Sequence, residues 1–216
     1  MRGSLQSALL VLSGTSAYMM YSFHIQLNCI QHFLLYSLKM STRSVKLLGS
    51  FFCPYANRVK IALNLKSVAF DYLEEKMCSK SNLLLISNPV YQKVPVLIHD
   101  DKIICESLVI VEYIDQVWMD NGYSILPSDP YDRSVARFWA AYVDDKLVLT
   151  LKDLLSSQGE DTIAVKERLE EAISALEVVF LKCSKGKAYF GGDDIGFIDI
   201  ALGSCLQWIK TVEQVT

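Results

Sequence analysis

Hydrophobic and polar residues alternate with two different periodicities along the chain, and the change from one to the other divides it into two parts. In the first part, short apolar runs typical of strands alternate with stretches of helical spacing. This order predicts a β-α-β unit followed by a β-β-α unit, which together form a small mixed sheet with helices packed on it. The predicted strands are 45–50, 68–75, 94–100 and 102–106, and the predicted helices are 54–66, a short helix or turn near 79–86, and 107–118.

The second part carries apolar residues at spacings of three and four with charged residues between them, which indicates amphipathic helices. Helices are predicted over 132–157, 162–183 and 196–210. The last of them has the widest apolar surface, so we expect it to lie at the centre of a helical domain.

A cluster of Gly, Pro, Asn and Asp over 119–133 separates the two parts and is typical of a linker. We therefore expect three folded or connecting segments from residue 44 onwards. They are a mixed α/β domain over 44–123, a linker over 124–131 and an all-helical domain over 132–216.

Residues 1–43 differ in composition from the rest and are interpreted as a leader outside the folded domains. From Gly3 to Leu38 there is no charged residue, yet polar residues interrupt every apolar run before it reaches the length of a transmembrane helix. Residues 1–17 weakly resemble a secretory signal, and Met40 is followed at once by polar residues and a strand. A leader without function, a targeting segment and a membrane anchor stay open, in that order of preference.

Composition excludes several classes of function. The 216 residues are 51% apolar, which is enough for a buried core, and carry a net charge of −3. Because the 21 basic residues form no stripe, nucleic acid is not an expected partner. The six cysteines include no C-x-x-C pair and the three histidines show no zinc-ligand spacing, so no metal is expected. We expect mostly free, buried thiols in a reducing compartment.

Cys53 stands directly before Pro54, where the first predicted strand gives way to a helix. Proline is favoured at the first helical position, so Cys53 falls at the cap, where free backbone amides stabilise an anion. The helix field contributes about 0.3–1 kcal/mol, or about 2 when partly buried, which predicts a thiol pKa lowered from about 8.5 towards 7. Arg58 either adds to this field or faces solvent. A reactive thiol and an inert buried cysteine both stay open, but Ala56 excludes an internal dithiol.

Three further stretches carry candidate chemistry. Val94-Pro95 begins an apolar strand, where a cis bond would leave an unpaired backbone edge for a peptide-like ligand, or an ordinary turn would precede the strand. Glu106 and Ser107 precede a helix, where they either cap it or bind the amine and carboxylate of an α-amino acid. Asp199 lies in the third position of the last predicted helix and is interpreted as structural.

These stretches, in the order Cys-Pro, KVPVL, ESLVIVEYID, linker and GFIDIALG, closely resemble the glutathione transferases, most of all the plant tau class. The resemblance runs from Val45 to the C-terminus. It implies a thioredoxin-like N-terminal domain that binds glutathione as co-substrate, and an all-helical C-terminal domain that helps to form the pocket for an apolar electrophile. It also implies a cytosolic homodimer.

The resemblance also assigns roles to particular residues. It implies that Lys80 and Lys93 bind the glycyl carboxylate of glutathione, while Val94 pairs with its cysteinyl unit. Pro95 would form the cis bond. The γ-glutamyl end would be bound by Glu106 and Ser107, with Asn88 near the ligand.

Two departures from the tau pattern bear on the chemistry. Tau enzymes usually carry serine at Cys53, and cysteine there is typical of the omega, lambda and dehydroascorbate-reductase classes, which form a mixed disulfide with glutathione. The family also normally continues for several tens of residues beyond Thr216, so the helical domain is expected to be truncated. Conjugation of glutathione to electrophiles is the leading hypothesis. A thioltransferase or dehydroascorbate reductase using Cys53, and a non-catalytic binder or inactive paralogue, are the alternatives.

Overall fold

The computed structural model describes residues 44–76, 78–156 and 161–215, with side chains up to residue 210 at the C-terminal end. The predicted leader lies outside the described residues. Among the helices that are described, none is both long and apolar enough to cross a membrane.

A four-stranded mixed sheet forms the first part of the fold, in the order β2-β1-β3-β4. Strand β1 runs parallel to β2 and antiparallel to β3, and β3 forms an antiparallel hairpin with β4. All four predicted strands are confirmed but are shorter than predicted; β3 begins only after Pro95, which has no N–H to donate to the sheet. Their bounds are β1 Val45–Gly49, β2 Asp71–Glu74, β3 Val96–His99 and β4 Lys102–Cys105.

Three helices accompany the sheet: α1 (Pro54–Leu65), α2 (Asn82–Ser87) and α3 (Ser107–Val117). Helix α1 connects the parallel strands β1 and β2, and it packs beside α3 over the sheet. Their apolar faces and the inner face of the sheet share one core. Its fully buried side chains include Leu47, Val59, Leu63, Leu97, Ile110 and Ile114.

The remainder of the described chain is helical, with the sequence α4 (Pro130–Tyr142), a π-helical segment (Val143–Val148), α5 (Leu149–Ser156), α6 (Asp161–Cys183), α7 (Phe197–Gly203) and α8 (Leu206–Val215). Helix α4 starts two residues before the predicted boundary because the Asp129 side chain caps it and Pro130 occupies the first turn. The predicted linker 124–131 therefore ends inside α4.

The helix predicted over 196–210 is two helices, α7 and α8, and the single-helix prediction is wrong. At the break, the Cys205 N–H bonds to the Leu202 carbonyl, one residue short of the α-helical pattern. The Ser204 hydroxyl also donates to the Ala201 carbonyl at 2.8 Å. The central position is confirmed for α7, which buries Phe197, Ile198, Ile200 and Ala201.

Asp199 has the structural role predicted for it. One carboxylate oxygen accepts from the Phe190 N–H at 2.9 Å, and the other accepts from Gly191 at 3.0 Å and Gly196 at 2.9 Å. The side chain thus caps the start of α7 and fixes the loop before it. Gly191 and Gly196 approach so closely that a Cβ on Gly191 would lie 2.8 Å from the Gly196 Cα, which explains the glycines.

Candidate functional site

The segments that carry the predicted site residues meet at one side of the sheet, where β1, β2 and β4 end and β3 begins. This side is called the sheet edge below, and the strand directions explain why the segments meet there. Strands β1 and β2 are parallel, so the residues that follow them leave at the same edge. In the antiparallel hairpin, Val96 lies opposite both Leu48 of β1 and Cys105 of β4, so the start of β3 and the end of β4 lie at that edge too. From β2 to β4, the edge therefore carries the segments with Lys80, Cys53, Val94-Pro95 and Glu106-Ser107.

Cys53 occupies the cap position of α1, as predicted, with Pro54 in the first turn. Burial raises the pKa of the Cys53 thiol, although the amides of Ala56 and Tyr55 and the charges of Arg58 and Lys152 act to lower it. The two amides face the sulfur without forming a regular capping hydrogen bond. The predicted lowering of this pKa is therefore wrong: loss of water around the half-buried thiol outweighs the helix field.

Arg58 is fully buried and connects the two parts of the fold, so it does not face solvent. Its charge does act to lower the Cys53 pKa, which is the other role considered from the sequence. Its guanidinium forms a bidentate pair with Asp144 of the π-helical segment, at 2.6 and 2.9 Å. It also donates to the hydroxyls of Ser204 at 3.2 Å and Ser107 at 3.3 Å. A signal was present in the sequence: Arg58 shares a helical face with Pro54 and Ala62, which are both buried.

Ser107 begins α3 and is buried, and its hydroxyl accepts a hydrogen bond from the Arg58 guanidinium. Glu106 immediately before it is exposed and has a φ of 70°, a left-handed backbone conformation that is uncommon outside glycine. Such conformations concentrate at ligand-binding sites, where the surrounding structure imposes them. The Glu106 carboxylate therefore stands at the surface beside a fixed helix start.

The Val94–Pro95 peptide bond is cis, as the resemblance implies. Pro95 is buried and Val94 is half-buried. Within the described part of the chain, neither the N–H nor the C=O of Val94 has a hydrogen-bond partner. This residue consequently offers a free donor and a free acceptor at the sheet edge.

Asn88 acts inside the protein, in the loop before Val94. Its side-chain amide donates to the Lys93 carbonyl at 3.0 Å, and its oxygen accepts from the Tyr91 N–H at 3.1 Å. Asn88 is 4% exposed, so its visible function is to shape the loop. Lys93 lies at the end of this loop and Lys80 lies shortly before α2, and the side chains of both are exposed.

Lys152 of α5 is a residue near Cys53 that sequence reasoning missed. Its ammonium donates to the Tyr55 hydroxyl at 3.3 Å and lies over the rings of Tyr55 and Trp208, at 5.3 and 5.9 Å. Trp208 in turn donates from Nε1 to the Phe52 carbonyl at 2.9 Å. Since Lys152 and Cys53 are 99 residues apart in a chain of ordinary charge pattern, no local sequence signal connects them.

Two cavities, of 640 and 760 Å³, lie in the helical part and the linker, and none of the predicted site residues lines either. The smaller is an apolar groove between α6, α7 and α8, lined by residues such as Ile173, Phe180 and Leu206.

Comparisons with known proteins agree with this architecture. Residues 43–116 match the family described as Glutathione S-transferase, N-terminal domain. Over 175 residues the chain is 53% identical to glutathione S-transferase U17 of Arabidopsis thaliana, which covers 81% of this chain and 77% of that protein.

Solved structures give the same result. The tau-class glutathione S-transferase of mango, Mangifera indica, matches with a TM-score of 0.77 and 53% identity, over 80% of this chain and 78% of that one. Rice GST1, solved in complex with glutathione, matches with a TM-score of 0.74 and 35% identity, over 80% of this chain and 77% of that one.

The mixed sheet with its helical partner thus has the thioredoxin-like and all-helical architecture of the glutathione transferases. At this identity and coverage, the chain belongs to the glutathione S-transferase family, within which it is a tau-class enzyme.

Proposed function

We propose that this protein conjugates reduced glutathione to electrophilic small molecules, with glutathione bound along the sheet edge. The observation that carries the proposal is the convergence of four chain segments at that edge. Adjacent strands lie about 4.8 Å apart, so the edge is about 14 Å wide. An extended tripeptide of about 10 Å fits along this length.

Charged groups of both signs along the edge suit the two ends of glutathione. The exposed ammonium groups of Lys80 and Lys93 suit the glycyl carboxylate, and the free backbone groups of Val94 suit the cysteinyl unit. Glu106 suits the γ-glutamyl amine, and Ser107 with the start of α3 suits its carboxylate. Asn88 supports this arrangement indirectly, by shaping the loop that carries Lys93.

In the proposed reaction, the cysteinyl thiol of glutathione lies beside Cys53 and loses its proton to water. The thiolate then forms a carbon–sulfur bond with the electrophile, whose leaving group departs with the displaced electron pair. Cys53 supports conjugation because its raised pKa keeps it a neutral thiol, so it presents no second negative charge to the glutathione thiolate. The same raised pKa, and relatives named as tau-class transferases, count against mixed-disulfide exchange at Cys53.

The electrophile is proposed to approach over the aromatic side chains next to Cys53. Phe51 and Phe52 are 62% and 68% exposed, and their rings pack edge to face at 5.1 Å. Exposed aromatic surface beside a nucleophile attracts apolar molecules out of water. An apolar electrophile is therefore the proposed second substrate.

A homodimer and a cytosolic location complete the proposal. Val109 of α3 and Phe138 of α4 are 56% and 62% exposed. An ion pair between Glu112 and Arg137 joins the same two helices, so exposed apolar and charged side chains occur together on them, as at protein interfaces. All five described cysteines are free thiols, which agrees with a reducing compartment.

Retention on immobilised glutathione, followed by conjugation of an aryl halide and reduction of a mixed disulfide, tests the function. We expect the chain to be retained and to conjugate faster than it reduces. Glu106→Gln should raise the KM for glutathione about tenfold, because one charge-assisted hydrogen bond is lost.

Asp101→Asn is the matched control, since Asp101 is an exposed acid in the β3–β4 turn at the opposite edge of the sheet. It should leave the KM unchanged. No retention by the parent chain, or equal losses in the two variants, would refute the proposed glutathione site.

A further inference from the structure

We propose that Lys152, which belongs to the helical part of the fold, stabilises a thiolate at the Cys53 sulfur site. Its ammonium group places a positive charge near that site. This inference deepens the proposed function and rests on it for the identity of the thiolate. The electrostatic action of Lys152 on Cys53 is nevertheless a property of the protein without substrate.

The position of the Lys152 ammonium is fixed from two sides, although the residue lies at the surface. Tyr55, in the first turn of α1, accepts its hydrogen bond at 3.3 Å and offers its ring face at 5.3 Å. Trp208 of α8 offers a second ring face at 5.9 Å. Cations over aromatic faces are held by the negative face of the ring, so the flexible lysine stem is restricted to this place.

The same residues fix Lys152 relative to the sulfur site. Tyr55 lies two residues after Cys53, and its backbone amide faces the Cys53 sulfur. Trp208 donates to the carbonyl of Phe52, directly before Cys53. Lys152 is therefore attached through both aromatic partners to the segment that carries the thiol.

Lys152 differs from the other cation near this point. The charged or titratable groups that face Cys53 are Arg58 of α1, Lys152 of α5 and Tyr72 of β2. Arg58 also acts to lower the Cys53 pKa, but its guanidinium is held in a bidentate pair with Asp144. Within the described residues, no carboxylate forms an ion pair with Lys152, so its charge is available to an anion at the sulfur site.

A positive charge near the sulfur stabilises a thiolate relative to the thiol, whether the sulfur belongs to Cys53 or to glutathione bound beside it. Water screens the effect, because Lys152 is exposed. We therefore expect the Lys152 charge to shift the pH profile of the thiol by only a few tenths of a pH unit.

The test compares Lys152→Met with Lys152→Arg, and with Lys146→Met as the matched control. Lys146 is an exposed lysine in the preceding π-helical segment, and among the described residues it has no hydrogen bond or cation–π pair with Tyr55 or Trp208. The first measurement is the pH dependence of Cys53 alkylation by iodoacetamide, resolved from the other cysteines by peptide mass spectrometry. The second is the pH dependence of kcat/KM for aryl-halide conjugation.

Lys152→Met should move both profiles to higher pH by about 0.2–0.7 unit. Lys152→Arg should restore the parental profiles, and Lys146→Met should match the parent. A purely structural role would lower activity without moving either profile. An unmoved alkylation profile in Lys152→Met, or an equal shift in Lys152→Arg, overturns the proposal.

The alkylation result also separates this proposal from the proposed function. If the parent chain neither binds nor conjugates glutathione, the function fails while a shifted alkylation profile still supports the action of Lys152. Thermal unfolding of each variant shows whether any loss of activity comes from misfolding.

Discussion

At the scale of single residues, Cys53 shows how burial and a helix start compete. The sequence correctly predicts the cap position, and the amides of Tyr55 and Ala56 do act to lower the thiol pKa. Burial acts more strongly, so the net pKa is raised. The sulfur is thus better suited to donate a weak hydrogen bond to a neighbouring thiolate than to attack as a thiolate itself.

Cys53→Ser is expected to raise kcat/KM for glutathione in aryl-halide conjugation about tenfold. A hydroxyl is a stronger hydrogen-bond donor than a thiol, and a bond to a charged acceptor that is better by about 1.4 kcal/mol gives this factor. Steady-state rates at saturating electrophile measure the change. Cys53→Ala, which has no donor, should fall below the parent. A serine variant that keeps disulfide reduction and gains no conjugation would contradict this role of Cys53.

At the scale of elements, a buried ion pair holds α1, α3 and the linker together. Lys66, the residue after α1, pairs with Asp115 of α3 at 2.8 Å and donates to the Tyr123 carbonyl at 2.7 Å. Asp115 also accepts from the linker amides of Ile125 and Leu126, at 2.9 and 3.0 Å. Burial acts to raise the pKa of Asp115, but these amides and Lys66 outweigh it, and the pKa is lowered.

Asp115→Asn is expected to lower the free energy of unfolding by about 3 kcal/mol at pH 7, because it leaves the buried Lys66 without its counter-charge. A carboxyl with a lowered folded-state pKa stabilises the protein above its ordinary pKa of about 3.9, and this stabilisation is lost as the pH falls through the folded value. The difference from the parent should therefore persist at neutral pH and shrink below about pH 4.

Urea unfolding at a series of pH values measures this difference. Asp101→Asn serves as the control for removing one acid at an exposed position. A difference that grew on acidification would contradict the assigned sign.

At the scale of the whole molecule, Arg58 and Asp144 connect the sheet part to the helical part. The guanidinium is fully buried, while the Asp144 side chain is 25% exposed. Hydrogen bonds to Ser107 and Ser204 extend the connection to the start of α3 and the end of α7. Arg58 is thus one of the residues that connect the candidate glutathione site to the helical part, beside the contacts of Lys152 and Trp208.

Removing the two partners of this pair should have unequal effects. Asp144→Ala leaves a buried, unpaired guanidinium and is expected to lower the free energy of unfolding by about 3–5 kcal/mol. Arg58→Met leaves a carboxylate that can reach water, with an apolar side chain in the buried space, and should cost about 1–2 kcal/mol. Urea unfolding of both variants checks the order, and a larger loss in Arg58→Met would contradict it.

The sequence alone determined the elements and most of the candidate site. Alternating apolar runs predicted the four strands, since side chains on a strand repeat every two residues. The order of short motifs gave the position of Cys53 at the start of α1 and the segments that carry Lys93, Val94 and Glu106. These features are local, because a cap, a proline or a strand pattern is written within a few residues of chain.

Only the tertiary structure decided the properties that depend on distant residues. Three examples depend on residues that are tens of positions apart. They are the burial of Cys53, the buried pair of Arg58 with Asp144, and the position of Lys152 over Tyr55. The break between α7 and α8 likewise follows from packing, since the apolar pattern continues across it. Desolvation and ion pairing are set by what surrounds a group in space, and a sequence pattern records only what lies next to it along the chain.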